Sequence, residues 1–558
     1  MCLSASELTL RVEGVPDNIA DNVRGFLSIQ SLENQEVTSV SRLMYLHRRA
    51  EDEIRQALEP FGYYNPELDL ALQSQEGGWR AVYQITPGPQ TQISRVTVQI
   101  LGEGEQDPEF IALLASNPLK MGEALYHPTY ESFKSQIQSL AAERGYYLGR
   151  FTEQRIRVDR ERNRAEITLT FNTGQRTRIS ELRFSENPIK ERLLRRYPRF
   201  EEGDYLEVVK LIDLQGALID SDYFADVEVR PVMEEFTEGS VPVEVNLTPR
   251  PRSLYQAGFG FGTDTGARMQ LGLNRRYVNS SGHKIDARMR LSEIRNDITA
   301  GYIIPGRNPR FDQFGLRTGF YDENSKTIDS SRFSFGGFWQ KQIDEWEGVL
   351  SLDLEQERFS FDQDTTQTRL LIPRLQMTKT VSDNRFNTQK GYRISFGVAA
   401  ASEALLSDVS LLQLNASGKR VDSLGERWRL LSRVEVGTTY TDDFDRVPAT
   451  LRFYAGGDNS IRGYDYQTLG PKSRSGQVIG GQHLIAGSLE VDYEFIPNWR
   501  LAGFVDAGNA FDNFNEKIKT SAGFGVRWQS PVGPVRLDLA TPIQDSGVRI
   551  HFTLGPDL

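Results

Sequence analysis

At 558 residues, with 38% hydrophobic and 25% charged residues, the chain is too long for one compact domain and too mixed in composition for disorder. A net charge of −11 argues against nucleic acid as a partner, because binding phosphates needs a basic surface. One cysteine, Cys2, and five scattered histidines exclude disulfides within the chain and give no metal-ligand spacing. With no nucleophile elbow, dinucleotide fingerprint or P-loop either, the chain reads as a non-enzyme without cofactor or metal.

The opening MCLSASELTL contains LSAS, which has the small-residue character of a signal-peptidase site but lacks the charged and apolar regions that precede one. Residues 1–6 are read as a candidate signal-peptide remnant, with an ordinary cytosolic start as the alternative. Three stretches then align: HRRAEDEIRQALEPFGYYNPEL, YESFKSQIQSLAAERGYYLGRF and VVKLIDLQGALIDSDYFADVEV. Each predicts a helix with apolar residues three and four apart, such as Leu43, Leu46, Ala50, Ile54 and Leu58. A turn at Gly62, Gly145 or Asp222 follows, then two aromatics and a strand. A second alternating strand comes next in WRAVYQITPGPQ, AEITLTFNTGQR and VPVEVNLTPRPR, and a further strand opens the next unit. The order is β-α-α-β-β, repeating about every 80 residues, with modules at 7–89, 90–175 and 176–252.

This order and spacing resemble the POTRA domain of outer-membrane assembly factors, against the alternative of three unrelated α+β modules. A mixed sheet with an open edge offers N–H and C=O groups to an extended chain, so sequence-tolerant binding of unfolded strands is expected. In the third module KERLLRRYPRF gathers Lys190, Arg192, Arg195, Arg196 and Arg199, either a solvated helix face or a surface for lipid phosphates.

From Ser253 to Leu558 helical spacing gives way to period-two alternation. In HKIDARMRLSE, Ile285, Ala287, Met289 and Leu291 alternate with Lys284, Asp286, Arg288 and Arg290. LIAGSLEVDYEFIP and PVRLDLATPI behave alike. No stretch approaches the roughly 18 apolar residues of a membrane helix. One apolar and one charged face on strand after strand, with no helix to cover a sheet, predicts a transmembrane antiparallel β-barrel. At about 10 residues per strand plus turns it has room for about 16 strands; a soluble β-rich domain is the alternative. Tyr277, Tyr302, Trp339, Trp428 and Trp499 lie near strand ends, as an interfacial girdle requires. The fold class is thus multidomain, three α+β POTRA-like domains followed by a transmembrane barrel at 253–558.

Within the barrel region GGDNSIRGYDYQTLGP sets an arginine and three aromatics in a turn-rich loop. Phase in WRLAGFVDAGNAF places Trp499, Leu501, Val505 and Ala507 outwards, so Arg500, Phe504, Asp506 and Gly508 face inwards. The same test turns Arg527 and Asp538 inwards. In the terminal VRIHFTLGPDL, Val548, Ile550, Phe552 and Leu554 face outwards and Arg549, His551 and Thr553 inwards, and Pro556 removes a ladder donor.

SIRGY and GFVDAGNAF resemble the signature loop and matching strand of the BamA/TamA family of outer-membrane assembly and secretion barrels. Carried over position by position, the resemblance implies an ion pair between Arg462 and Asp506, with Gly463 and Tyr464 shaping and seating the loop tip. Gly508 leaves space for a neighbouring chain. If the two charges pair directly, reversing both should partly restore function. Three modules and the Gly-Pro-Asp-Leu ending resemble the TamA branch. The resemblance implies an outer-membrane location with periplasmic modules and help in inserting β-barrel clients, such as autotransporters, by strand pairing at a weak barrel seam. The implied partners are a TamB-like inner-membrane-anchored protein, unfolded outer-membrane protein clients and membrane lipid, with no nucleic acid. A two-partner-type secretion pore for an unfolded exoprotein is the alternative.

Overall fold

A computed structural model describes residues 7–75, 78–262, 266–325, 327–384, 387–530 and 533–554. The candidate remnant at 1–6, the Leu554 side chain and Pro556 therefore lie outside the described residues. The chain divides into two compact units, 1–185 with 198–215 and 228–246, and 186–197 with 216–227 and 247–558.

Each module is a three-stranded mixed sheet backed by helices. In the first, strand Glu7–Glu13 runs parallel to Gly78–Thr86, which is antiparallel to Glu67–Gln75. The helix Val40–Leu58 starts where the Ser39 side chain accepts from the Arg42 amide, and buries Leu43, Leu46, Ala50, Ile54, Ala57 and Leu58 on the sheet. The second module repeats the order with strands Gln92–Leu101, Arg164–Asn172 and Arg150–Asp159, and the third with Arg178–Phe184, Ser240–Pro249 and Phe224–Pro231. In all three the last strand in sequence is central, so the other two are edges.

The recurring turn positions are joints. Gly62 and Gly145 adopt φ of 83° and 86°. The Gly62 carbonyl accepts from the Thr91 amide at 2.9 Å, and the Thr91 carbonyl from the Leu125 amide at 2.8 Å. Gly145, Thr177 and Leu206 repeat this at 2.9 and 2.9 Å. A Cβ on Gly62 would stand 2.4 Å from the Leu125 carbonyl oxygen, and one on Gly145 2.1 Å from that of Leu206. The third position, Asp222, also has positive φ at 63°, and its carboxylate accepts from Arg250 at 2.8 Å and Arg276 at 2.9 Å. The KERLLRRYPRF segment holds a one-turn helix, Glu191–Leu194; Arg195 pairs with Glu191 and Arg196 donates to the Gly306 carbonyl.

Sixteen strands from Ser253–Gly262 to Arg549–Leu554 form one sheet, each antiparallel to the next in chain order. Alternation sets its two faces. In Trp346–Phe361, Leu350, Leu352 and Leu354 face out while Asp353, Glu355 and Glu357 are buried on the inner wall. The barrel tryptophans Trp339, Trp346, Trp428, Trp499 and Trp528 all sit beside turns at the rim where Ser253 begins, and Trp499 stacks on Trp528. The first and last strands lie side by side, but among the described residues no register joins them like the ladders between all the other neighbours.

Candidate functional site: the lumen loop

Between strands Trp428–Thr441 and His483–Ile496 the barrel makes its longest described connection, residues 442–482. Isolated pairings of Phe453 with Gly481, Ala455 with Leu469 and Lys472 with Val478 roll it up. The buried Arg452 side chain ties its base by donating to the Phe444, Asp445, Val447 and Ile479 carbonyls. Gly456 and Gly457, at φ of 102° and 100°, reverse the chain ahead of the tip. Ile461 is fully buried among Ala455, Tyr464, Leu469, Leu484, Ala486 and Ala510. The apolar residues of the tip are thus its seat.

Arg462 is buried in a cage of carboxylates. Its Nε and backbone N–H donate to Asp506 Oδ2 at 2.9 and 3.0 Å, and its Nη2 to Asp506 Oδ1 at 2.8 Å. Nη1 donates to Glu490 at 2.7 Å and Asp538 at 3.2 Å, and Nη2 to Ser488 Oγ at 3.1 Å. The guanidinium also lies 3.3 Å from the centre of the Phe504 ring. Arg527 shares the cage, donating to Glu490 at 3.0 and 2.9 Å and to Asp538. Three carboxylates thus meet two guanidinium groups, with forked charge-assisted bonds filling the buried oxygens.

Gly463 packs against the wall so tightly that a Cβ would come within 2.5 Å of the Ser521 Cβ and 2.8 Å of the Pro542 nitrogen. Gly508 permits an equally close strand approach, since its Cβ would meet the Ile485 carbonyl oxygen at 2.3 Å. The Tyr464 hydroxyl donates to Asp545 at 2.8 Å, and Lys519 holds the same carboxylate at 2.9 Å. The last strand joins in from the seam side. Arg549 donates to the Gly463 carbonyl at 3.1 Å and pairs with Asp465, while His551 bonds both Asp458 and the Arg462 carbonyl.

The structure therefore brings Arg462, Gly463, Tyr464 and Asp506 together, with Gly508 on the same strand as Asp506. Of the terminal set, Val548 and Ile550 are exposed and Phe552 is half-buried; the strand starts at Arg549, one residue after Val548. Sequence reasoning missed the cage partners Glu490 and Ser488, the Asp545 anchor and the grip of Arg549 and His551. The inward phase of Ser488, Glu490, Arg549 and His551 was readable, but which inward residues meet depends on register between strands, which phase does not fix; Asp545 lies in the loop after Pro542 and has no strand phase.

A model of the Omp85 superfamily domain matches residues 254–557, and a model described as POTRA domain TamA domain 1 matches residues 9–87. Outer membrane protein assembly factor BamA of Nitratidesulfovibrio vulgaris is 23% identical over 442 residues, covering 74% of this chain and 55% of that protein. BamA of Neisseria meningitidis is 23% identical over 575 residues, covering 88% and 70%. The chain spans about half the length of the BamA proteins of Nitratidesulfovibrio vulgaris and Neorickettsia risticii. Among solved structures, BamA from Haemophilus ducreyi lacking POTRA domains 1-3 shares the fold with a TM-score of 0.71 at 19% identity, covering 83% of this chain and 99% of that one.

Proposed function

The chain belongs to the Omp85 superfamily, an outer-membrane β-barrel with POTRA modules in the periplasm, and on that premise we propose that it assembles outer-membrane proteins by offering client strands an edge at the barrel seam. One observation carries this reading: the Arg462 loop ties together the last five strands, through Glu490, Asp506, Arg527, Asp538 and His551, up to the seam itself. The final strand, Arg549–Leu554, is the shortest described in the barrel. A rigid group of strands ending in a short one yields at that end.

A client strand entering lipid alone would leave backbone N–H and C=O groups without partners, each at a cost of several kcal/mol. Pairing at the seam supplies those partners, and client folding supplies the free energy. The open edges of the modules would hold extended clients beforehand. Three modules, and the match of the first to the TamA-type model, support a TamA-type role with autotransporter-class clients and a TamB-like inner-membrane-anchored partner.

The test is a disulfide across the seam, with one cysteine within 255–262, one within 549–554 and Cys2 replaced by serine. Client insertion should stop when the seam is locked and resume on reduction. A locked barrel that inserts clients at the normal rate sinks the seam mechanism. Client cross-links along the inner wall would favour the two-partner-type secretion pore.

A further inference from the structure

Along much of the inner wall, cations alternate with carboxylates. Arg317 and Arg374 share Asp353, Arg429 and Arg500 share Asp492, and Arg462 and Arg527 share Glu490 and Asp538. Arg500, Arg527 and Arg536 stand directly opposite one another on adjacent strands, but there Arg500 pairs with Asp492 and Arg527 with Glu490 and Asp538. A second row of cations lacks such pairs. Register places Arg393 directly opposite Lys419, and Lys419 directly opposite Arg433, on the adjacent strands Gly391–Ala401, Leu411–Leu424 and Trp428–Thr441. Phe396, Leu414 and Val434 face out on these strands, so the odd-numbered cations share the lumen face.

Like charges directly opposite on neighbouring strands are unfavourable. Among the described residues none of the three cations meets a carboxylate within ion-pair distance, and Arg433 reaches the Ser460 carbonyl. Lys419 and Arg433 line a small cavity with Arg536, Asn459 and Ser488. The carboxylates that also line it, Asp458, Glu490 and Asp538, are held by His551, Arg462 and Arg527. Glu435, two residues beyond Arg433 on the same face, stands opposite Ser417 and Ala486. The row lies toward the periplasmic mouth, Arg393 being the third residue of its strand.

We propose that Arg393, Lys419 and Arg433 form an anion site that takes a phosphate group, carried on a lipid headgroup or on a free phosphate compound. With strands about 4.8 Å apart the three cations span about 10 Å, a distance over which long side chains can converge on one divalent oxyanion. Guanidinium and ammonium groups are donors only, and a phosphate supplies several acceptor oxygens with more than one charge. The site is independent of the seam mechanism.

The test uses full-length protein in zwitterionic detergent, with inorganic pyrophosphate as the calorimetric probe. Saturable binding is expected, weakened at least tenfold in Arg393→Gln/Lys419→Gln and unchanged in Arg155→Gln/Arg157→Gln, which alters exposed residues of the second module. In phosphate-free buffer the first variant should melt no lower than the parent, because like charges have been removed; a lower melting temperature would mark the row as structural and overturn the assignment. Equal pyrophosphate binding by parent and variant, no binding by the parent, or binding of a polyglutamate peptide in place of pyrophosphate would each overturn it too. Native mass spectrometry of protein taken from membranes separates the sources. Phospholipid adducts lost in the variant identify a headgroup, and pyrophosphate binding without adducts identifies a free compound.

Discussion

Replacing Arg462 with alanine should loosen the loop and the barrel together. The substitution removes forked bonds to Asp506 and single bonds to Glu490, Asp538 and Ser488. Glu490 and Asp538 keep Arg527, so the unpaired charge falls mainly on Asp506, which is fully buried and retains the Ser488 hydroxyl at 2.6 Å. Breaking one buried, hydrogen-bonded pair costs about 3–5 kcal/mol. Urea unfolding from lipid vesicles, followed by the rim tryptophans and by gel mobility, measures this. Arg462→Lys keeps the charge without the fork and should lose roughly half as much. A loss below about 1 kcal/mol for the alanine variant would refute the cage as a structural lock, since that is no more than an exposed pair contributes. The geometry also predicts that reversing both charges fails to rescue, because an aspartate at 462 would face Glu490 and Asp538. Recovery of insertion in that double variant would show that Asp506 acts alone.

Gly463→Ala should unseat the tip, because the added Cβ meets Ser521 and the Pro542 backbone; overpacking of this kind costs about 1–3 kcal/mol, and protease cleavage within 456–471 reads it out. Gly145→Ala combines positive φ with a clash against the Leu206 carbonyl, so amide exchange at Thr177 and Leu206 should speed up while that at Thr91 and Leu125 does not. Burial pushes His47 and His127 below the ordinary histidine range, although Glu59 and Glu131 oppose this at His127. Their stabilising effect is complete above the unfolded value near 6.5 and is lost as pH falls through the lower folded values. Helices Val40–Leu58 and His127–Glu143 should therefore exchange faster at pH 5 than at pH 7.5 after intrinsic correction, and His47→Gln/His127→Gln should flatten the difference.

Much of this was legible from period and phase. Period-two alternation predicts the barrel and which side of the wall Asp506, Arg527 and Asp538 occupy, because one face meets lipid and the other does not. The three-and-four spacing of Leu43, Leu46, Ala50, Ile54 and Leu58 predicts the helix that buries them. The cage was only half legible. Glu490 lies 28 residues from Arg462 and Asp538 lies 76 residues away, and only stacking of consecutive strands in register brings them to one guanidinium. The grip of His551 and Arg549 depends likewise on the loop folding back to the last strand. Asp222 resembled a turn residue, and its ion pairs with Arg250 and Arg276 depend on the chain folding back 28 and 54 residues later.

The repeated joints bear on how such a chain changes length over evolutionary time. Gly62 with Thr91 and Leu125, and Gly145 with Thr177 and Leu206, show the same plug entering the same socket at two successive boundaries. A cut just before Thr91 and another just before Thr177 would remove one whole module and leave a plug facing a socket of the same shape. Duplication of that segment would add a module with no new interface to invent. Module number can therefore drift by recombination between repeats while the barrel and its loop stay untouched, and the reach of the periplasmic arm becomes a quantity set by copy number.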